Sequence, residues 1–149
     1  MARDDWRLAL PLAPTTAATA RLLARLYVLG PLELRDPHQA LGLISSLAAD
    51  ADPNPNPDDV AILGIAQVRL GQHEQGLVTL QKVADAPAAQ PLAQFFIAIA
   101  KWHRNLRDDA RAWYGQAVTW LEQHPPVDPE LRRVRDETAE LLGIPRPAD

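Results

Sequence analysis

No cysteine occurs in these 149 residues. Disulfides, cysteine-based zinc sites and thiol catalysis are thereby excluded together. Glycine is scarce, at 7 residues, and none of them belongs to a Gly-rich phosphate loop. Positive charge is not in excess, since 15 Lys and Arg stand against 19 Asp and Glu for a net charge of -4. The basic residues run from Arg3 to Arg146 without clustering, which argues against an electrostatic footprint for nucleic acid. No stretch approaches the roughly 20 apolar residues of a membrane span. The apolar run Leu8-Ala9-Leu10-Pro11-Leu12 does not make a secretory signal with Ala18-Thr19-Ala20, because Asp4 and Asp5 precede it and Pro11 and Pro14 break it. Residues 1–14 are therefore expected to be an N-terminal extension of a cytoplasmic protein. The composition that remains, 47% hydrophobic and 23% charged, suits one ordinary folded domain.

Ala and Leu dominate and no segment alternates with period two, so the chain is expected to be all-α. Proline, glycine and capping residues then mark the helix ends. A first helix is expected from Thr15, after Pro14, to Leu29, where Gly30-Pro31 stops it, with Leu22, Leu23, Leu26, Tyr27 and Leu29 as its apolar stripe. Asp36-Pro37 opens a second through Leu41, Ile44, Leu47 and Ala48, and the Pro53 to Pro57 stretch forms a stiff turn region. Four more helices are expected near 58–70, 73–85, 91–104 and 107–122, and a last one from Asp128-Pro129 to Gly143.

Residues 57–90 and 91–124 align at a spacing of 34, which sets Leu63-Gly64 on Ile97-Ala98, Gly71 on Asn105, Gly76 on Ala110, Leu80 on Tyr114 and Val83 on Ala117. In period and pattern the chain resembles the tetratricopeptide repeat (TPR) family, and its C-terminal part resembles the ends of bacterial, planctomycete-like TPR arrays. The resemblance implies a TPR-like helical solenoid over residues 15–143, with about three helix-turn-helix units, a C-terminal capping helix and a short tail at 144–149. Small residues at 64, 98, 76 and 110 would let paired helices approach closely, and Gly71 and Asn105 would take a left-handed turn. In the last helix Leu131, Val134, Thr138, Leu141 and Leu142 share one face, while Arg132, Arg133, Asp136, Glu137 and Glu140 are expected to point into water.

The resemblance also implies function. First helices of TPR units line a concave face where peptides bind, and the matching positions are Ala61, Ile65, Val68 and Arg69 in one unit and Phe95, Ile99, Trp102 and His103 in the next. Most are apolar, so a carboxylate clamp is not expected. An apolar groove rimmed by Arg69, His103 and Arg104 is. Burial of the aromatics in the core stands as the alternative. Phe95 and Phe96 are expected not to face the core together, since helical neighbours diverge by about 100°. Trp113 and Trp120 are expected to pack under the last helix, and Trp6 stands outside the repeats.

No catalytic, cofactor or metal site is expected. His38, His73, His103 and His124 are dispersed, no H-E-x-x-H occurs, and Ser45 and Ser46 sit inside a helical pattern. The expectation is a non-enzymatic scaffold that binds a partner protein, peptide or helix. A self-associating homodimer module is the alternative, with a helical enzyme or nucleic-acid binder behind it.

Overall fold

A computed structural model describes residues 17–49, 56–86 and 90–145. Expectations that fall on the N-terminal extension, Trp6, Thr15, Pro53, Pro55 and residues 146–149 lie outside the described residues. Among those described, the chain is all-helical and no strand occurs. The helices are α1 (Ala17–Leu29), α2 (Pro37–Ala49), α3 (Pro57–Arg69), α4 (His73–Gln81), α5 (Leu92–His103), α6 (Arg107–Gln123) and α7 (Pro129–Leu142). A short 3-10 turn, Leu32–Leu34, fills the longer connection between α1 and α2.

Single residues set most boundaries. Asn56 accepts a hydrogen bond from the Asp58 amide at 2.9 Å with Pro57 in the first helical position, and Asp128 does the same for Glu130 at 2.8 Å ahead of Pro129. Asp36 accepts from the Gln39 amide at 3.2 Å. Helix α4 is shorter than expected. Beyond Gln81 the amides of Lys82 and Val83 bond back three residues, to Thr79 and Leu80, so 82–85 tighten into turns while Val83 and Ala84 stay buried.

The 34-residue spacing reappears in the backbone. The Gln72 amide donates to the Gln67 carbonyl at 2.9 Å and the Gly71 amide to Val68 at 3.0 Å. One repeat length later, Leu106 donates to Lys101 at 2.9 Å and Asn105 to Trp102 at 3.0 Å. Both are the same double-bonded helix stop, which needs a left-handed residue, and φ is 84° at Gly71 and 67° at Asn105. Gly71→Ala is expected to cost about 1–2 kcal/mol in denaturant unfolding, because the new Cβ meets the following carbonyl. Asn105→Gly should be close to neutral. A harmless Gly71→Ala would show that the turn is not constrained.

Each helix packs on the next in sequence, α1 packs on α3, α3 on α5, and α7 on both α5 and α6. Glycine permits the closest of these contacts. A Cβ on Gly64 would lie 2.6 Å from Leu80 Cγ, and one on Gly76 would lie 2.5 Å from Val68 Cγ2, so α3 and α4 meet backbone to side chain. Ala98 and Ala110, one repeat length on, are both fully buried.

Two expectations need correction. Phe95 and Phe96 both lie fully within the core, because α5 is enclosed on all sides and every residue from Leu92 to Ala100 is buried. The 100° rule separates neighbours only where a helix has a water-facing side. In α1 the buried set is Ala20, Ala24, Tyr27, Val28 and Leu29, while Leu22 is 70% exposed.

Candidate functional site

The last helix forms one wall of a pocket shared with α3, α4 and α5. Val134, Thr138 and Leu142 of α7 are buried, as a helix packed on α5 and α6 requires. Its carboxylates do not all face water. Glu130 accepts from Arg25 of α1 at 3.0 and 2.5 Å. Glu137 accepts from Arg35 at 3.1 Å and from both terminal nitrogens of Arg69 at the end of α3. The expectation that Glu137 points into water is thus overturned. The helical pattern places it opposite the apolar face, but Arg35 of the α1–α2 connection and Arg69 at the end of α3 reach it there.

A pocket of about 400 Å³ remains between α3, α4, α5 and α7, lined by Val68, Arg69, Gly71, His73, Phe96, Ile99, His103, Glu137 and Leu141. The size is in the range of small-ligand or side-chain sites. Four of the eight groove positions named from sequence come together here: Val68, Arg69, Ile99 and His103. Ala61, Ile65 and Phe95 instead lie in the core at 3%, 0% and 0% exposure, so they support the groove from behind and present nothing to a partner. Trp102 turns away to α6, where the guanidinium groups of Arg107 and Arg111 lie 4.5 and 5.3 Å from its ring centre.

Arg69 joins the parts of this site. Its Nε donates to the Val28 carbonyl at 3.2 Å, its terminal nitrogens hold Glu137, and its guanidinium lies 4.9 Å from the centre of the Phe96 ring. Desolvation raises the Glu137 carboxyl, but the hydrogen bonds and charges of Arg69 and Arg35 outweigh it and hold the group below the ordinary carboxylate value. Burial, and next the charge of Arg69, lowers Arg35.

At the mouth, the His73 and His103 rings stack with centres 4.4 Å apart and planes within 9°. His73 is not the solvated cap that its place at the start of α4 suggests. It is half-buried, and its Nδ1 has no hydrogen-bond partner. Burial, and then His103, holds it below its ordinary value of 6.5. Folding therefore favours the neutral ring, and as pH falls the unfolded chain takes up a proton first. The stability linked to His73 is complete above pH 6.5 and is lost as pH falls below it towards the folded-state value. Melting temperature measured against pH should lose this component in His73→Phe. Parallel profiles for the two proteins would contradict the assignment.

Sequence reasoning missed His73, Phe96, Glu137 and Leu141 as members of one site. A local signal existed for Phe96 alone, as the neighbour of Phe95. The others come from two separate helices, α4 and α7. Elsewhere, Trp120 stacks on His124 at 3.9 Å and borders a groove with Gln94, Gln116, Thr119 and Gln123. The basic residues between Arg69 and Arg111 have separate partners. Lys101 pairs with Asp109 at 2.7 Å and Arg104 with Glu74 at 3.4 Å, while Arg69 belongs to the pocket. Among the described residues no cluster of three or more His, Asp or Glu is placed to hold a metal ion, and no helix is long and apolar enough to cross a membrane. Compared with known proteins, the chain matches no family model, no curated protein and no solved structure.

Proposed function

We propose that this protein is a non-enzymatic interaction module built as a TPR-like solenoid of about three helix-turn-helix units closed by α7, and that it binds a segment of a partner protein on its inner side. The observation that carries this reading is the repetition of one helix stop at a spacing of 34 residues, with left-handed Gly71 and Asn105 in the same place between paired helices. The packing order supports it: each helix lies on the next, and α1, α3 and α5 follow one another on one side, as the first helices of such units do. The surface open to a partner is centred on Arg69, His73 and His103, with Val68, Phe96 and Ile99 forming its buried floor.

Affinity capture by the intact protein, compared with His103→Asp, tests the reading. His103 is exposed, so the variant is expected to fold and to lose any partner bound at the pocket. Identical captured proteins from the two baits would remove the pocket as the binding surface.

A further inference from the structure

Three guanidinium groups border the side of the molecule that α7 closes, and α7 answers them with two carboxylates. Arg25 has Glu130 to itself, whereas Arg35 and Arg69 share Glu137. The Arg35 and Arg69 side chains are only 18% and 14% exposed, so their charges are poorly screened by water. Arg133, on α7 itself, adds a further positive charge that disfavours Arg35, and both residues line the same 600 Å³ surface cleft. Asp136, Glu137 and Glu140 line that cleft as well, but in the hydrogen-bonded pairs three guanidinium groups of the seat are answered by only two carboxylates of α7. Glu130 and Glu137 are seven residues apart, two helical turns, with Val134 and Thr138 buried on the adjoining face. Residues 124–128, which join α6 to α7, have no helical structure.

We infer that α7 is a displaceable occupant of its own seat, and that the partner is an acidic amphipathic helix with carboxylates two turns apart and aliphatic residues between them, taking the place of α7. This rests on the interaction-module reading and names its ligand. A partner helix with a third carboxylate at the position of Arg133 fits the seat better than α7 does, because it turns the repulsion of Arg35 into an ion pair. The wall of the neighbouring pocket formed by Val68, Phe96 and Ile99 adjoins the same seat and would receive an apolar side chain of the partner where α7 presents Leu141.

The test uses the intact protein and fluorescein-labelled peptides of residues 127–143, followed by anisotropy and by hydrogen exchange at the α7 amides. The peptide with Arg133→Glu is expected to bind at least tenfold more tightly than the native peptide, and one with Glu130→Gln and Glu137→Gln is expected not to saturate. Saturating Arg133→Glu peptide should speed exchange along Val134 to Leu142 of the protein. A Glu130→Gln protein, altered only at the half-exposed Arg25 pair, should bind the native peptide several-fold more tightly while still melting cooperatively. Affinity that ignores the carboxylates, or α7 amides that stay protected at saturation, would overturn the inference. So would the absence of binding to the folded Glu130→Gln protein. A dimer that exchanges α7 between copies at micromolar concentration would make a second copy the occupant and also overturn it. Capture of a partner that leaves α7 protected would keep the interaction module and discard the displacement.

Discussion

Gly64→Val should lower stability by about 3 kcal/mol, near the upper end for overpacking a filled core, and bring the melting temperature down by ~10 °C for a domain of this size. Helix propensity alone predicts the opposite, because glycine inside a helix is worse than almost any residue except proline. Packing decides the sign. The added Cβ would sit 2.6 Å from Leu80 Cγ and 2.7 Å from Leu80 Cδ2, and Leu80 is fully buried with nowhere to swing. Gly42 in α2 and Gly115 in α6 are the controls, since a Cβ on either meets nothing within 4 Å. Gly42→Ala and Gly115→Ala should each gain roughly 0.5–1 kcal/mol. Thermal melts of the three proteins decide the matter. A Gly64→Val protein as stable as the parent would show that α3 and α4 are not in such close contact.

Glu137→Gln is expected to destabilise the protein at neutral pH by about 2 kcal/mol. Removing one partner of a buried ion pair costs roughly 3–5 kcal/mol, and the Glu137 side chain is 32% exposed, which reduces that figure. Two arginines lose their counter-charge together, so the effect should exceed that of cutting any single surface pair. The pH dependence separates this account from a simple loss of packing. Because folding holds the carboxyl below its ordinary value of 4.5, its contribution is complete above that pH and disappears as pH falls through the folded-state value. Urea midpoints of parent and variant should therefore differ clearly at pH 7 and converge in strong acid. A gap that stays constant with pH would assign the loss to shape and not to charge.

Most helix boundaries were legible because each depends on the chemistry of one or two residues. Asp36, Asp128, Gly71, Asn105 and Gly143 act through a cap or a left-handed φ, and neither requires knowledge of distant parts of the chain. The close crossings at Gly64 and Gly76 were legible too, through the 34-residue register. The site was legible only in half. Val68, Arg69, Ile99 and His103 follow from the register, but Phe95 and Trp102 needed to be known from their neighbours. Phe95 is closed in by Tyr114 at 5.8 Å, and Trp102 is held by Arg107 and Arg111 beyond the next turn. Glu137 was hidden most deeply. Its partners lie 68 and 102 residues earlier, and a helical pattern assigns faces without saying what stands opposite them.

A row of stacked helices ordinarily loses its ends first, since a terminal helix touches only one side of the stack. Here the ends are tied. The ion pair between Arg25 and Glu130 spans 105 positions, and that between Arg35 and Glu137 spans 102, so opening α7 also strips the counter-charges from α1 and from the connection that follows it. Fraying at either end is thereby coupled to the other. The molecule should melt as one cooperative unit, and the α5 amides, enclosed by both halves, should exchange only when all of it opens.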